Sequence, residues 1–440
     1  MSSTDSSPSP AIPNKAPGGP IGPNKPLAGI RLLDLTHMLS GPYAGMILAD
    51  LGCDTVKVEP VGRGEGTRRL LENDPKNSLG GMGAYFFTLN RNKRSVALDL
   101  KSDAGKALFY RLVASADVVL DNFAADVTRR LGIHYDDLKV HNPRIITCSV
   151  SGFGSDGPHY RRPAFDQIVQ GLGGGMSITG PGPGTFVRAG IPIGDLGGGM
   201  FAVMGIQSAL LARERTGQGQ HVDISMLDVQ VSLLNYMATM YTLSGEVPGP
   251  IGNSHFVHTP YNTFPTADDT IIIAVIGDTF WPALVELLEV EALRDPTLAT
   301  APERLTRQKE IEDLVGARLK TNTASYWLER LEAARIPCAR VNNVAQALDD
   351  PQVRHRNMVV SVNHPEAGAA EVPGNPIKLS GNSEESFTPP PLLGAHTREV
   401  LRDWGALSDT EIDAALAAGA AATTTEAETT ADTSAAREAG

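Results

Sequence analysis

The sequence predicts an α/β protein with a large Rossmann-like domain carrying a parallel sheet, joined to a smaller α+β domain. Three observations predict it. Short apolar strand-like runs alternate with helical stretches from residue 30 to 150, glycine clusters at 171–199 lead into a long apolar helix, and from about 250 the pattern changes. Strict strand–helix alternation is what parallel strands with crossover helices require.

Taken in order, Ile30–Leu35 reads as a buried strand, Pro42–Leu51 as a helix opened by proline, and Thr55–Glu59 as the next strand. The alternation continues with a strand over Ser95–Leu100 and a helix over Asp103–Ser115 that Ser102 caps. Strands over Val118–Leu120 and Ile145–Val150 complete it. Met200–Arg213 is apolar nearly all round, which predicts a deeply buried helix, and it leads through RTGQGQ into a strand over His221–Ser225 and a helix to about Tyr241. A strand over Thr270–Ile276 and amphipathic helices such as Tyr326–Ala334 mark the smaller domain. PPPLLGAHTREVLRDWG then supplies an extended stretch and a short helix expected to pack back on the first domain. The expected boundaries are a disordered tail over 1–26, a large domain over 27–225, a linker and small domain over 226–345, a return over 346–417, and a second disordered tail over 418–440.

At 440 residues the chain can bury a large core without metal or disulfides. Cys53, Cys148 and Cys338 stand far apart in apolar contexts, as buried thiols of a reducing, cytoplasmic protein do. No secretory h-region or uninterrupted apolar run of spanning length is read from the sequence. A formal net charge of −12 argues against nonspecific nucleic-acid binding, but leaves room for an anionic small ligand held by a few local cations.

No dinucleotide fingerprint, phosphate-binding Walker loop, G-x-S-x-G elbow or H-E-x-x-H motif occurs. His255 and His258 form the nearest metal-like pair, without a third ligand at a recognised spacing, so no metal is expected.

Asp195, in IPIGDLGGG, stands just before the apolar helix. Its carboxylate can cap that helix, and it can also act as a nucleophile; the two roles are compatible. An aspartate with an ordinary pKa near 3.9 is ionised at pH 7 and attacks an activated acyl group without a general base. Backbone N–H groups around Gly197–Gly199 are the expected donors to the developing oxyanions.

Eight collinear segments resemble the class III CoA-transferase family, which includes 2-methylacyl-CoA racemases and carnitine and formyl-CoA transferases. They are LLDLTHMLSGPYAGMILADLGCDTVKVEP (32–60), LNRNKRSVALDLK (89–101), ADVVLDNF (116–123), RRLG (129–132), NPRIITCSVSGFGSDGP (142–158), IPIGDLGGG (191–199), RTGQGQHVDISMLD (215–228) and PLLGAHTREVL (391–401). The resemblance implies that Asp195 is the nucleophile. It implies that coenzyme A lies on the first domain, its nucleotide end near Lys93, Arg94, Asn122 and Phe123, with a phosphate contact from Arg130. His37 follows the first strand, where α/β folds place ligands, and reads either as a CoA contact or as a structural histidine. Arg188 reads as a partner for a substrate carboxylate or as a surface ion pair. No permanently bound cofactor is implied; acyl-CoA and small carboxylic acids are the substrates, and the family's interlocked homodimer is the expected assembly.

Racemases of this family carry Gly-His-Asp where this chain has Pro163-Ala164-Phe165-Asp166, and Phe165 accepts no proton, so transfer is favoured over stereoinversion. Leu39 and GPIGNSH (249–255) replace the glutamine and glycine run of formyl-CoA transferases, which disfavours formyl-CoA with oxalate and leaves succinyl-CoA as the default donor. A dehydrogenase and a catalytically inactive CoA-binding protein are the readings from other classes.

Overall fold

The computed structural model describes residues 25–365, 368–382 and 387–424. They fall into two compact units, the first comprising 25–169, 192–233 and the described residues from 357 on, the second 170–191 and 234–356. The chain therefore leaves the first unit earlier than expected: the glycine-rich stretch 170–191 belongs to the second unit, and so do residues 346–356.

The first unit holds a sheet whose parallel strands are β1 (Arg31–Asp34), β2 (Asp54–Glu59), β3 (Lys93–Leu98), β4 (Val118–Asp121), β5 (Ile146–Ser151) and β6 (His221–Ser225). Their spatial order is β3-β2-β1-β4-β5-β6, the doubly wound order that reverses direction between β1 and β4. The helices are α1 (Ser40–Asp50), α2 (Ala84–Leu89), α3 (Asp103–Val113), α4 (Val127–Leu131), α5 (Asp166–Leu172, whose last residues pass into the second unit) and α6 (Ile193–Thr216).

Alternation along the strands divides the core. Leu33, Val56, Val96 and Val119 face one side with Phe109, Leu112 and Trp404. Leu32, Val118, Leu120, Ile146 and Val150 face the other, against Leu48, Ala202 and Ile206 of α1 and α6. Ser102 caps α3 as predicted, accepting from the Gly105 N–H at 3.0 Å. The segment after residue 390 returns to the first unit as expected: Gly394 N–H donates to Ser95 Oγ and Ala97 N–H to Thr397 Oγ1.

Two expectations need correction. Residues 418–424 are not part of a tail: Ala421–Ala422 adds an antiparallel strand to the free edge of β3 and is buried there. Residues 1–24 and 425–440, the rest of the expected tails apart from 25–26, lie outside the described residues. Helix α6 is also not buried all round. Gly194, Gly197 to Gly199, Ala202, Ile206 and Leu210 are inside, while Met200, Met204 and Leu211 are 40%, 49% and 69% exposed. By length and composition alone α6 could cross a membrane.

In the second unit, β7 (Tyr261–Pro265), β8 (Thr270–Ala274) and β9 (Cys338–Arg340) form an antiparallel sheet with β8 central. Trp281, Ile311, Leu319, Trp327 and Leu331 pack on it. The helix predicted to run to Tyr241 is broken at Asn235, whose φ of 48° ends one segment (Met226–Leu234) and starts another (Tyr236–Ser244).

Candidate active site

In doubly wound sheets, ligands bind beyond the carboxyl ends of the strands where the order reverses. The first unit has a cavity of about 460 Å³ at that place, lined by residues following β1 (Leu35, His37), β2 (Glu59, Pro60), β3 (Leu98 to Lys101) and β4 (Phe123), and by α4. That is a volume suited to part of a cofactor-sized ligand.

Buried charges lie on β1, β2 and β3, the strands that lead into its lining residues. Asp34 at the end of β1 forms an ion pair with Lys93 at 2.8 Å, both side chains fully inaccessible, and Lys57 Nζ donates to the Thr36 carbonyl at 2.8 Å. Burial alone raises the Asp34 pKa, but Lys93 and Lys57 hold it down to about 2. The network fixes the turn after β1. Asn122 then clamps the next residue, its Oδ1 accepting from His37 N–H (2.8 Å) and its Nδ2 donating to the His37 carbonyl (2.7 Å). The His37 and Phe123 rings lie 5.4 Å apart on the cavity wall. Burial and the Lys57 charge lower the His37 pKa, so its ring is neutral near pH 7.

Of the residues expected to hold coenzyme A, the structure brings His37, Phe123 and Arg130 onto this wall, with Asn122 setting the His37 backbone. It does not bring Lys93 and Arg94 there. Lys93 belongs to the Asp34 pair, and Arg94 reaches Asp54 at 2.7 Å and Glu399 at 2.6 Å. These strand residues pair with buried carboxylates, and neither lines the cavity. The cations on the wall are instead Lys101, Lys106 and Arg130, which make no ion pair among the described residues. Sequence reasoning passed over the two lysines; the signal was their place at the carboxyl end of β3 and on the first turns of α3.

Asp195 lies in the first turn of α6, partly buried. The possible capping role falls to another residue. Pro192 occupies the N-cap position without a side-chain cap, and Asp166 Oδ1 accepts from the Gly194 N–H at 2.8 Å and the Asp195 N–H at 3.4 Å. Burial, with the Asp166 charge adding, pushes the Asp195 carboxyl up to about 6. The Tyr85 hydroxyl on α2 is also raised, by burial and then by Asp195 and Asp166.

Gly197–Gly199 are helical residues whose N–H groups are taken by the α6 ladder, so they are not free oxyanion donors. Their role is close approach. A Cβ on Gly199 would come within 2.6 Å of the Ser40 carbonyl oxygen on α1, and one on Gly198 within 2.8 Å of Ser40 Oγ. That hydroxyl is buried and has no hydrogen-bond partner among the described residues.

Arg188, in the second unit, is exposed and donates to the carbonyls of Ala189 and Gly190. The His255 and His258 rings stack at 4.7 Å. Among the described residues no group of three or more His, Cys, Asp or Glu side chains is arranged to hold a metal ion.

A doubly wound α/β unit with a cation-lined cavity at its switch point, and a carboxylate of raised pKa at the start of a glycine-rich helix, defines a class of protein that binds an anionic cofactor-like substrate. The particular family follows from comparison: residues 27–397 match the model of CoA-transferase family III, and the chain belongs to that family and is a CoA-transferase. It is 37% identical over 400 residues to a succinate–glutarate CoA-transferase of Agrobacterium fabrum, covering 89% of this chain and 97% of the relative. It is 38% identical over 394 residues to a succinyl-CoA:mesaconate CoA-transferase of Haloarcula hispanica, covering 86% and 96%. A CAIB/BAIF family protein from Brucella suis has a similar solved structure, with a TM-score of 0.77 and 33% identity over 87% of this chain and 100% of that one.

Proposed function

We propose that the enzyme moves CoA from succinyl-CoA to a small dicarboxylic acid through covalent intermediates on Asp195. The observation that carries the reading is the Asp195 carboxylate itself, held at the start of α6 with a pKa near 6. Roughly nine-tenths of it is ionised at pH 7, and desolvation leaves that anion more basic than an ordinary aspartate. Asp195 attacks the thioester carbonyl, giving a mixed anhydride and releasing CoA thiolate. The thiolate attacks the Asp195 carbonyl, giving an aspartyl-CoA thioester and releasing succinate. The acceptor carboxylate then attacks that thioester, and the returning thiolate takes the acceptor's acyl group, leaving new acyl-CoA and free Asp195.

The cavity at the switch point supports placing the nucleotide end of CoA against Lys101, Lys106 and Arg130, with phosphates meeting the cations and the adenine meeting Leu98, Val127 and Leu131. The names of the two curated relatives support succinyl-CoA as donor and a dicarboxylate such as glutarate or mesaconate as acceptor. Stereoinversion has no second base at the expected position, where Phe165 stands 70% exposed. The apolar residues left exposed, among them Met204 and Leu211 on α6 and Tyr236, Tyr241 and Leu243 beyond it, support the interlocked homodimer.

A mass-spectrometric assay in deuterated water tests the reading, offering succinyl-CoA and a few branched and aromatic acyl-CoAs against a panel of carboxylates. New CoA esters that vanish in Asp195→Ala, without α-deuterium uptake, are expected. Esters that persist in that variant would remove Asp195 from the mechanism, and α-deuterium without a new ester would establish a racemase.

A further inference from the structure

We propose that Asp166 is a positioning residue that fixes the first turn of α6, and with it the Asp195 carboxylate, by taking the N–H groups at the head of the helix. The inference rests on Asp195 being the nucleophile.

An α-helix begins with N–H groups that have no partner inside it. Here the residue that would normally satisfy them is Pro192, which has no side chain able to accept. The acceptor comes from outside the helix: Asp166, at the start of α5, places Oδ1 2.8 Å from Gly194 N and 3.4 Å from Asp195 N. The glycine at 194 makes the approach possible. A Cβ there would lie 3.0 Å from Asp166 Oδ1 and 2.7 Å from Val169 Cγ2, so a side chain would push α5 and its carboxylate away. The Gly194–Asp195 pair thus has a steric reason: the first residue admits the anchor, and the second carries the chemistry.

The anchor is also a charge. A carboxylate beside Asp195 works against a second negative charge there and raises the pH at which Asp195 ionises. Among the described residues, the titratable groups coupled to Asp195 are Asp166 on α5 and the Tyr85 hydroxyl on α2. Tyr85 is neutral through the working range, since its pKa is raised, which leaves Asp166 as the charge that acts on the acid limb. Asp166 therefore does two separable things: its oxygen holds the turn, and its charge sets the basicity of the nucleophile.

Two variants separate them. Asp166→Asn keeps an oxygen acceptor for the Gly194 and Asp195 N–H groups and removes the charge; Asp166→Ala removes both. The readouts are kcat and KM for succinyl-CoA-dependent CoA transfer, the pH profile of kcat/KM from 4.5 to 8, and the melting temperature. Asp166→Ala is expected to lose about 100-fold in kcat, as a misplaced reacting group does, with KM for the CoA donor within about twofold of the parent. Asp166→Asn is expected to keep more of the turnover than Asp166→Ala and to move the acid limb of kcat/KM to lower pH. Parent-like turnover in Asp166→Ala, or an acid limb in Asp166→Asn that stays where the parent's is, overturns the proposal. If Asp166→Ala does not fold, the limb of Asp166→Asn decides alone. Asp195→Ala, measured alongside, keeps the two readings apart: turnover retained there sinks the Asp195 mechanism, whereas its loss together with a parent-like Asp166→Ala sinks only the positioning role.

Discussion

Replacing Gly199 by alanine tests how tightly the α1–α6 crossing controls the chemistry. The new Cβ would stand 2.6 Å from the Ser40 carbonyl oxygen, 3.1 Å from Tyr43 Cδ1 and 3.4 Å from the Ala44 nitrogen. The nearest atom is backbone at the head of a buried helix and cannot rotate away. Restoring an ordinary 3.4 Å contact requires about 0.8 Å of separation between the helices. Overpacking of this kind costs about 1–3 kcal/mol, and alanine's better helix propensity offsets about 1 kcal/mol of it. The melting temperature should fall by no more than about 8 °C. The kinetic effect is expected to be larger, because α1 begins directly after the His37 turn of the cavity and touches the turn following Asp195. A shift approaching 1 Å between reacting groups costs up to about 100-fold. Steady-state kcat/KM and thermal unfolding, with Gly381→Ala as a control because a Cβ there meets nothing within 4 Å, measure both effects. Parent-like kcat/KM in Gly199→Ala would refute the close crossing. Gly198→Ala should be milder, since its nearest contact is the Ser40 hydroxyl at 2.8 Å, and Ser40→Ala in the same chain should recover most of the loss.

Three further outcomes are expected. Arg130→Gln should raise KM for the CoA donor by about 10- to 100-fold at low salt with little change in kcat, as loss of a charged phosphate contact does; a change confined to kcat would move the nucleotide end elsewhere. Lys93→Met should act on stability, leaving Asp34 buried without its partner and costing about 3–5 kcal/mol in denaturant unfolding; a stable variant with only a raised KM would restore Lys93 to the ligand. Asp121, at the end of β4, is raised to about 6 chiefly by burial, although the Ser149 hydroxyl donates to it at 2.7 Å. A carboxyl raised in the folded state stabilises fully below its unfolded pKa near 4 and loses that contribution as pH rises through about 6. Asp121→Asn should therefore be more stable than the parent at pH 7–8, by up to about 3 kcal/mol in denaturant unfolding, and the difference should disappear near pH 4; a constant difference across that range would contradict the assignment.

The sequence alone determined what is local. Strand-like runs located β1 to β6 to within about two residues, most plainly β1, β4 and β5, because a strand buried on both faces needs apolar character. Ser102 announced α3 because a cap and its N–H lie three residues apart. The place of Asp195 at the head of α6 was legible in IPIGDLGGG, where the glycines and the apolar run after them announce the helix. Tertiary structure decided the partnerships. Lys93 and Arg94 look like a basic pair free for a phosphate, but Arg94 finds Asp54 on the adjacent strand β2 and Lys93 finds Asp34 one strand further on, on β1, 59 residues away. The cap of α6 comes from Asp166, 28 residues before Gly194, so no local pattern could assign it. The glycines after Asp195 read as backbone donors until the helix was seen to use those donors itself, leaving the missing side chains as their contribution. Residues 421–422 looked like tail because their composition buries little on its own, and they are ordered because β3 offers an unpaired edge. A sequence specifies which groups a chain carries; which charges remain free for a ligand is settled only when folding has paired the others.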